Sequence, residues 1–175
     1  MMEQETHPFT SRKKLPHEIP IWIDPSAETY FITMNSLPRG TNQLTTASVA
    51  PALLQSAAYR HQSTQWFNHL FLLMPDHIHA LLSFPKQTKG IQHVIKSWKA
   101  WTAKHLHIEW QRNFFEHRLR HDESATEKFH YILSNPVRGN LANTPDQWPW
   151  VLWSDPRGGD LQQGWGAASR AFSAR

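Results

Sequence analysis

Read by the spacing of its apolar residues, the chain alternates between the period of a strand and that of a helix. Thr29 to Met34 (Thr-Tyr-Phe-Ile-Thr-Met) is β-branched and aromatic and predicts a strand. Leu37 to Asn42, with Pro38 and Gly40, predicts a loop. From Thr46 to His61 the apolar positions Val49, Leu53, Leu54 and Ala57 follow helical spacing. Trp66 to Met74 predicts a second strand, and Pro75-Asp76 a turn. His77 to Phe84 predicts a third strand, apolar on both faces and therefore central in its sheet. After Pro85 the period returns to that of a helix: Ile91, Val94, Ile95, Trp98, Trp101 and His105 form one stripe, with Lys96, Lys99 and Ala103 placed on the outer side. Phe114 to Leu119 reads as a short strand or a loop. Ser124 and Glu127 have the spacing of a capping box, opening a helix that Pro136 ends. This order predicts a compact α+β sandwich, ferredoxin-like, with helices packed on a mainly antiparallel sheet.

Residues 1–20 carry Pro8, Pro16 and Pro20 and are expected to form a flexible lead-in; the domain spans 21–154; residues 155–175, rich in Gly, Ser and Ala, are expected to be mobile. The polar start, Met1 to Leu15, has no apolar run of the signal-peptide kind, and no segment approaches the roughly 20 apolar residues of a membrane helix. A cytoplasmic, membrane-free protein is the expectation. With no cysteine in the chain, disulfide frameworks and Cys-based zinc sites are excluded.

Charge sharpens the picture. Eight Lys/Arg lie between Lys86 and Arg120 against two acidic residues, Glu109 and Glu116, a net of +6 where the whole chain has +4. Such a local field attracts polyanions, although for a charge run alone a solvated helix face is the favoured reading. Of the nine Trp, Trp66, Trp98, Trp101 and Trp110 suit either a core or base stacking.

Two constellations carry chemistry. His77 and His79 flank Ile78, so in a strand their imidazoles share one face at a spacing that suits a common metal. An apolar strand that carries such a polar pair must give it partners, because unsatisfied burial is costly. On the later helix, with Phe129 as origin, Ile132 and Leu133 fall within about 60° and Tyr131 about 200° away, so Tyr131 does not belong to the buried face. Asn135, four residues on, is expected on the tyrosine's side. By spacing alone, a surface tyrosine with a capping asparagine is the competing reading.

Four separated segments occur in an order that resembles a known family: Met74-Pro75-Asp76 leading into His77-Ile78-His79, then Phe115 to Arg120, then Tyr131-Ile132-Leu133-Ser134-Asn135-Pro136-Val137-Arg138, then Asp146-Gln147-Trp148-Pro149-Trp150. They resemble the REP-associated tyrosine transposases, within the single-tyrosine His-hydrophobic-His superfamily, from about Tyr30 to Trp150. Gly139-Asn140-Leu141 departs from the family's usual Ala-Gly-Leu. The resemblance implies a transposase that cuts and rejoins structured single-stranded or hairpin DNA. Tyr131 would be the nucleophile. His77 and His79, with Asn135 as third ligand, would hold Mg²⁺ or Mn²⁺, and Lys96, Lys99, Arg112, Arg118 and Arg120 would contact DNA phosphates. The protein would act as a monomer or homodimer. An idle or domesticated DNA-binding protein that recognises repeat hairpins is the alternative. A metal-binding β-barrel enzyme, the other home of a His-x-His pair, conflicts with the helices after Pro85.

Overall fold

A computed structural model describes residues 28–86, 90–120, 125–154 and 161–164. The expected lead-in, Ser124 and most of the tail lie outside them. The chain runs through β1 (Tyr30–Asn35), α1 (Ala50–Gln62), β2 (Phe67–Leu73), β3 (His77–Ser83), α2 (Ile91–Leu106) and β4 (Phe115–Arg118). It continues through α3 (Ala125–Leu133), α4 (Asn135–Arg138), a 3₁₀ turn at Pro145–Gln147, β5 (Val151–Ser154) and β6 (Leu161–Gln163). The six strands form one antiparallel sheet in the order β4-β1-β3-β2-β5-β6. Its first six elements, β-α-β-β-α-β with strand order 4-1-3-2, are the split βαβ arrangement of a ferredoxin-like fold. The α+β expectation therefore holds, and β3 is central as its two apolar faces required. Leu161–Gln163 fall inside the segment read as a mobile tail and pair with β5 as its edge partner.

The two-residue period of the strands sorts the core into two layers. Tyr30, Ile32 and Met34 of β1 and Ile78, Ala80 and Leu82 of β3 face α1 and α2. There Trp66, Trp98 and Phe71 pack ring against ring, with centroids 5.6–6.2 Å apart. On the other side Leu70, Leu72 and Leu81 meet Phe129, Ile132 and Leu133 of α3. The Trp-Pro segment closes this second layer: Trp148 is buried and its Nε1 donates to Leu73 O at 2.8 Å, while Leu73 N donates to Trp150 O at 2.9 Å.

α3 stops at Leu133, and Pro136, which has no amide hydrogen, stands in the first turn of α4. Proline thus breaks the helix as expected, but Asn135 opens a second short helix instead of extending the one that carries Tyr131.

Lys99 departs from its assignment as an outward, phosphate-contacting cation. It is 6% exposed, and its Nζ donates to the carbonyls of Gln111 at 2.6 Å and Arg112 at 3.3 Å. Four residues after Ile95 and three before Thr102, it lies on the buried stripe of α2; residue type pointed outward while spacing pointed inward. Burial, with Lys96 adding repulsion, lowers its pKa to about 8.

The unfolded chain holds the Lys99 proton up to about 10.5 and the folded chain only to about 8. Folding stability should therefore rise as pH increases through this window. Lys99→Met should remove that slope and cost about 1–3 kcal/mol by leaving carbonyls unsatisfied. Urea unfolding at pH 7.5 and pH 10 checks both; an equal slope in the variant contradicts the assignment.

Candidate functional site

The site is assembled on the α3 side of the sheet. Because Ile78, Ala80 and Leu82 fill the α1–α2 side, His77 and His79 must point the other way, with Leu81. Their ring centroids lie 4.8 Å apart. Each ring is held through Nδ1. His77 Nδ1 sits 2.6 Å from Asp76 Oδ1, and His79 Nδ1 lies 3.0 Å from Thr33 Oγ1, its cross-strand neighbour on β1. Phe31, the next residue on that face of β1, stacks on His79 at 5.5 Å.

Asp76 is itself fixed. Its Oδ2 accepts from Arg39 Nε at 3.0 Å and from Gly40 N at 2.8 Å, and its carbonyl accepts from Ser36 N at 2.8 Å. Burial acts to raise its pKa, but the hydrogen bonds from His77, Gly40 and Arg39 outweigh it and bring the value to about 2. The carboxylate is ionised at neutral pH, so it accepts the His77 Nδ1 proton and leaves the lone pair on Nε2. His79 is lowered to about 4, first by burial, then by His77 and Arg138, so its ring is neutral at pH 7. Two imidazoles, each held through Nδ1, form a donor pair suited to a divalent cation.

Tyr131 lies on the same side of the sheet. Phe129, Ile132 and Leu133 turn the buried face of α3 to the strands, and Tyr131 remains 47% exposed. Two cations flank its ring: Lys128 Nζ at 5.5 Å and the Arg138 guanidinium at 4.7 Å from the centroid. Lys128 Nζ also lies 5.2 Å from the Phe31 ring. The contacts form a circuit, from His79 to Phe31, to Lys128, to Tyr131, to Arg138 and electrostatically back to His79.

Asn135 has its Nδ2 buried without a hydrogen-bond partner. A half-turn of the amide about Cβ–Cγ puts Oδ1, a hard oxygen donor, in the same place. Among the described residues no group of three or more His, Cys, Asp or Glu is placed to hold a metal. A third ligand drawn from these residues would have to be of another type, and the amide of Asn135 is a group of that kind.

The five basic residues assigned to DNA do not form one surface around this site. Lys99 is internal. Lys96 is exposed on α2, the opposite side of the sheet from the histidines. Arg112 is exposed in the segment after α2. Arg118 pairs with Glu28 at 3.4 Å and stands opposite Tyr30, on the α2 side. Arg120 is exposed beyond β4. The cations next to Tyr131 are Lys128 and Arg138. Sequence reasoning gave neither a role, although Lys128 stands three residues before the tyrosine on its helix.

No protein-family model matches the chain. A putative REP-associated tyrosine transposase of Haemophilus influenzae is 28% identical over 94 residues, covering 45% of this chain and 53% of that protein. An uncharacterized protein of the same organism is also 28% identical over 94 residues, covering 38% of this chain and 52% of its own length. The chain thus spans about half the length of the curated relatives it matches. The structure of a REP-associated tyrosine transposase bound to a REP hairpin superposes with a TM-score of 0.62 at 21% identity, covering 78% of this chain and 82% of that one. The chain resembles the REP-associated tyrosine transposases in both sequence and fold. At that identity the superposition with the REP-associated transposase speaks for the fold alone. No helix among the described residues is long and apolar enough to cross a membrane.

The Asp76 contact should fix the His77 tautomer. In ¹H–¹⁵N spectra the neutral form of His77 should appear protonated on Nδ1, and Asp76→Asn should mix the tautomers. An Nε2-protonated His77 in the parent protein would contradict the arrangement.

Proposed function

We propose that the protein is a metal-dependent DNA transposase and endonuclease that cuts and rejoins structured single-stranded DNA through a 5′-phosphotyrosine on Tyr131. The observation that carries this reading is the circuit joining Tyr131 to the histidine pair on one face of the sheet. The names of the relatives support it at the level of transposase, and the hairpin in the superposed complex supports hairpin DNA as the partner.

The chain has three tyrosines. Tyr30 is 3% exposed, and burial first among its causes raises its pKa to about 12. Tyr59 is on α1, across the sheet from the histidines. Tyr131 alone combines exposure with a position on the histidines' side of the sheet. An unperturbed phenol ionises near pH ~10, so attack at neutral pH requires stabilisation of the phenolate. Lys128 and Arg138, in contact with the ring, supply positive potential there.

His77, His79 and Asn135 would hold Mg²⁺ or Mn²⁺, which when bound polarises the scissile phosphate. In the cleavage step Tyr131 Oη forms a bond to phosphorus and the bond from phosphorus to the 3′ oxygen breaks. The phenol loses a proton and the departing oxygen gains one, giving a 5′-phosphotyrosine and a free 3′-hydroxyl. The phosphodiester count is conserved, so attack by a 3′-hydroxyl on the phosphotyrosine rejoins a strand without ATP.

Tyr131→Phe should bind a labelled hairpin oligonucleotide and yield no covalent adduct, whereas Tyr30→Phe should form adduct at the parent rate. His77→Ala and His79→Ala should each lose Mg²⁺- or Mn²⁺-dependent cleavage while keeping the fold. An adduct from Tyr131→Phe on a denaturing gel would place the nucleophile elsewhere.

Affinity for the same hairpin should fall as salt rises, because phosphate neutralisation releases counterions. Lys128→Ala or Arg138→Ala should lower the salt slope by about 1 if that cation pairs with a phosphate. An unchanged slope in both variants would leave those cations to the tyrosine ring alone.

A further inference from the structure

The opposite side of the sheet carries a feature that the catalytic reading does not use. Of the four tryptophans weighed above, Trp66 and Trp98 are fully buried and Trp110 is partly buried against the same core. Trp101 is different: it is 42% exposed on α2. His105, one turn on, stacks on its indole at 4.4 Å and bonds to its carbonyl at 2.8 Å, so the ring is backed and held in place. Tyr59 on α1 is 63% exposed. These two rings line one groove of about 520 Å³ between the helices, together with Gln55, Arg60 and Gln65. Beneath it, Trp98 Nε1 donates to Ser56 Oγ at 3.0 Å, and Arg60 Nη1 donates to Gln65 Oε1 and, at 3.4 Å, to Ser97 Oγ.

The charge around the groove is one-sided. Neither the 13 residues of α1 nor the 16 of α2 include an Asp or Glu. Arg60 stands in the groove, and Lys96 and Lys104 are exposed on α2. Exposed aromatic rings on two helices that carry no Asp or Glu, with amide and guanidinium groups between them, match the chemistry of an unpaired nucleobase on its phosphate backbone. A purely apolar protein partner would cover the Arg60 guanidinium without supplying an anion to offset its charge.

We infer that the groove between α1 and α2 takes an unpaired base of single-stranded DNA against Trp101 and Tyr59, as a second DNA contact across the sheet from Tyr131. This rests on the reading of the protein as one that handles single-stranded DNA, but not on its cleavage chemistry.

The test is fluorescence anisotropy of labelled oligo(dT) of about ten nucleotides, within the span that single-strand sites cover. The full chain is titrated in EDTA, where no metal-dependent step runs. Trp101→Ala and Tyr59→Ala should each weaken binding about ten-fold or more, the worth of one stacked base. Trp101→Phe and Tyr59→Phe, which keep a ring, should retain most of the affinity. Circular dichroism checks folding; should Trp101→Ala not fold, Tyr59→Ala on the other helix carries the test. Parent-level affinity in Tyr59→Ala and in folded Trp101→Ala overturns the inference. So does an equal loss on a blunt duplex of the same length, which offers no unpaired base. Tighter binding of oligo(U) overturns the assignment to DNA. Adduct formation by Tyr131 without any oligo(dT) binding would remove this site and leave the proposed function standing. Ring-dependent binding without adduct would do the reverse.

Discussion

The alternation of side chains along β3 is the constraint on which the molecule is built. Ile78, Ala80 and Leu82 are fully buried against α1 and α2, and the two-residue period of a strand then leaves His77 and His79 no choice of face. A slip of one residue would put two imidazoles into an aliphatic layer and three aliphatic residues beside Tyr131. The register is pinned on both sides, because β3 pairs with β1 and with β2. The pairing that fixes the core is also what brings Thr33 opposite His79. Core packing and the orientation of a site residue are one event here.

The same geometry governs the electrostatics. His79 is neutral chiefly because it is buried beneath Phe31 and beside other groups, with His77 and Arg138 adding repulsion. His77 is oriented by the opposite means, an anionic neighbour. Asp76 keeps that charge because Arg39 and Gly40 bond to it from the loop after β1. Two adjacent histidines thus reach similar orientations by different physics. The loop at Arg39 and Gly40, remote in sequence from the pair, belongs to the site for that reason.

Much of this was legible in the chain. The strand and helix order followed from apolar spacing, and the separation of Tyr131 from the buried face of its helix followed from the wheel, since Phe129, Ile132 and Leu133 are the buried residues of α3. What spacing could not supply was the pairing between distant segments. Thr33 is an ordinary strand threonine until β1 lies beside β3. Arg138 and Lys128 acquire a role only because the break at Pro136 turns α4 so that Arg138 meets the ring of Tyr131. Lys99 was misplaced because its charge was weighed above its position; the carbonyls of Gln111 and Arg112 satisfy it internally, and those partners lie beyond the helix it occupies.

The basic run from Lys86 to Arg120 shows why charge along a sequence is a poor map of charge on a surface. One of its lysines is internal, Arg118 is paired with Glu28, and Lys96 faces away from the histidine pair. Side chains rotate around α2 and alternate between faces along β4, so a run that crosses both does not form one patch. The cations in contact with the Tyr131 ring come instead from the segment that carries the tyrosine. What α2 presents outward is a separate surface, one in which Trp101 is held beside Tyr59 by helices that contain no carboxylate. A single strand that contacted both faces would have to pass around the sheet's edge. In that arrangement recognition and cleavage would be coupled by the strand itself, with the sheet as a rigid spacer between them.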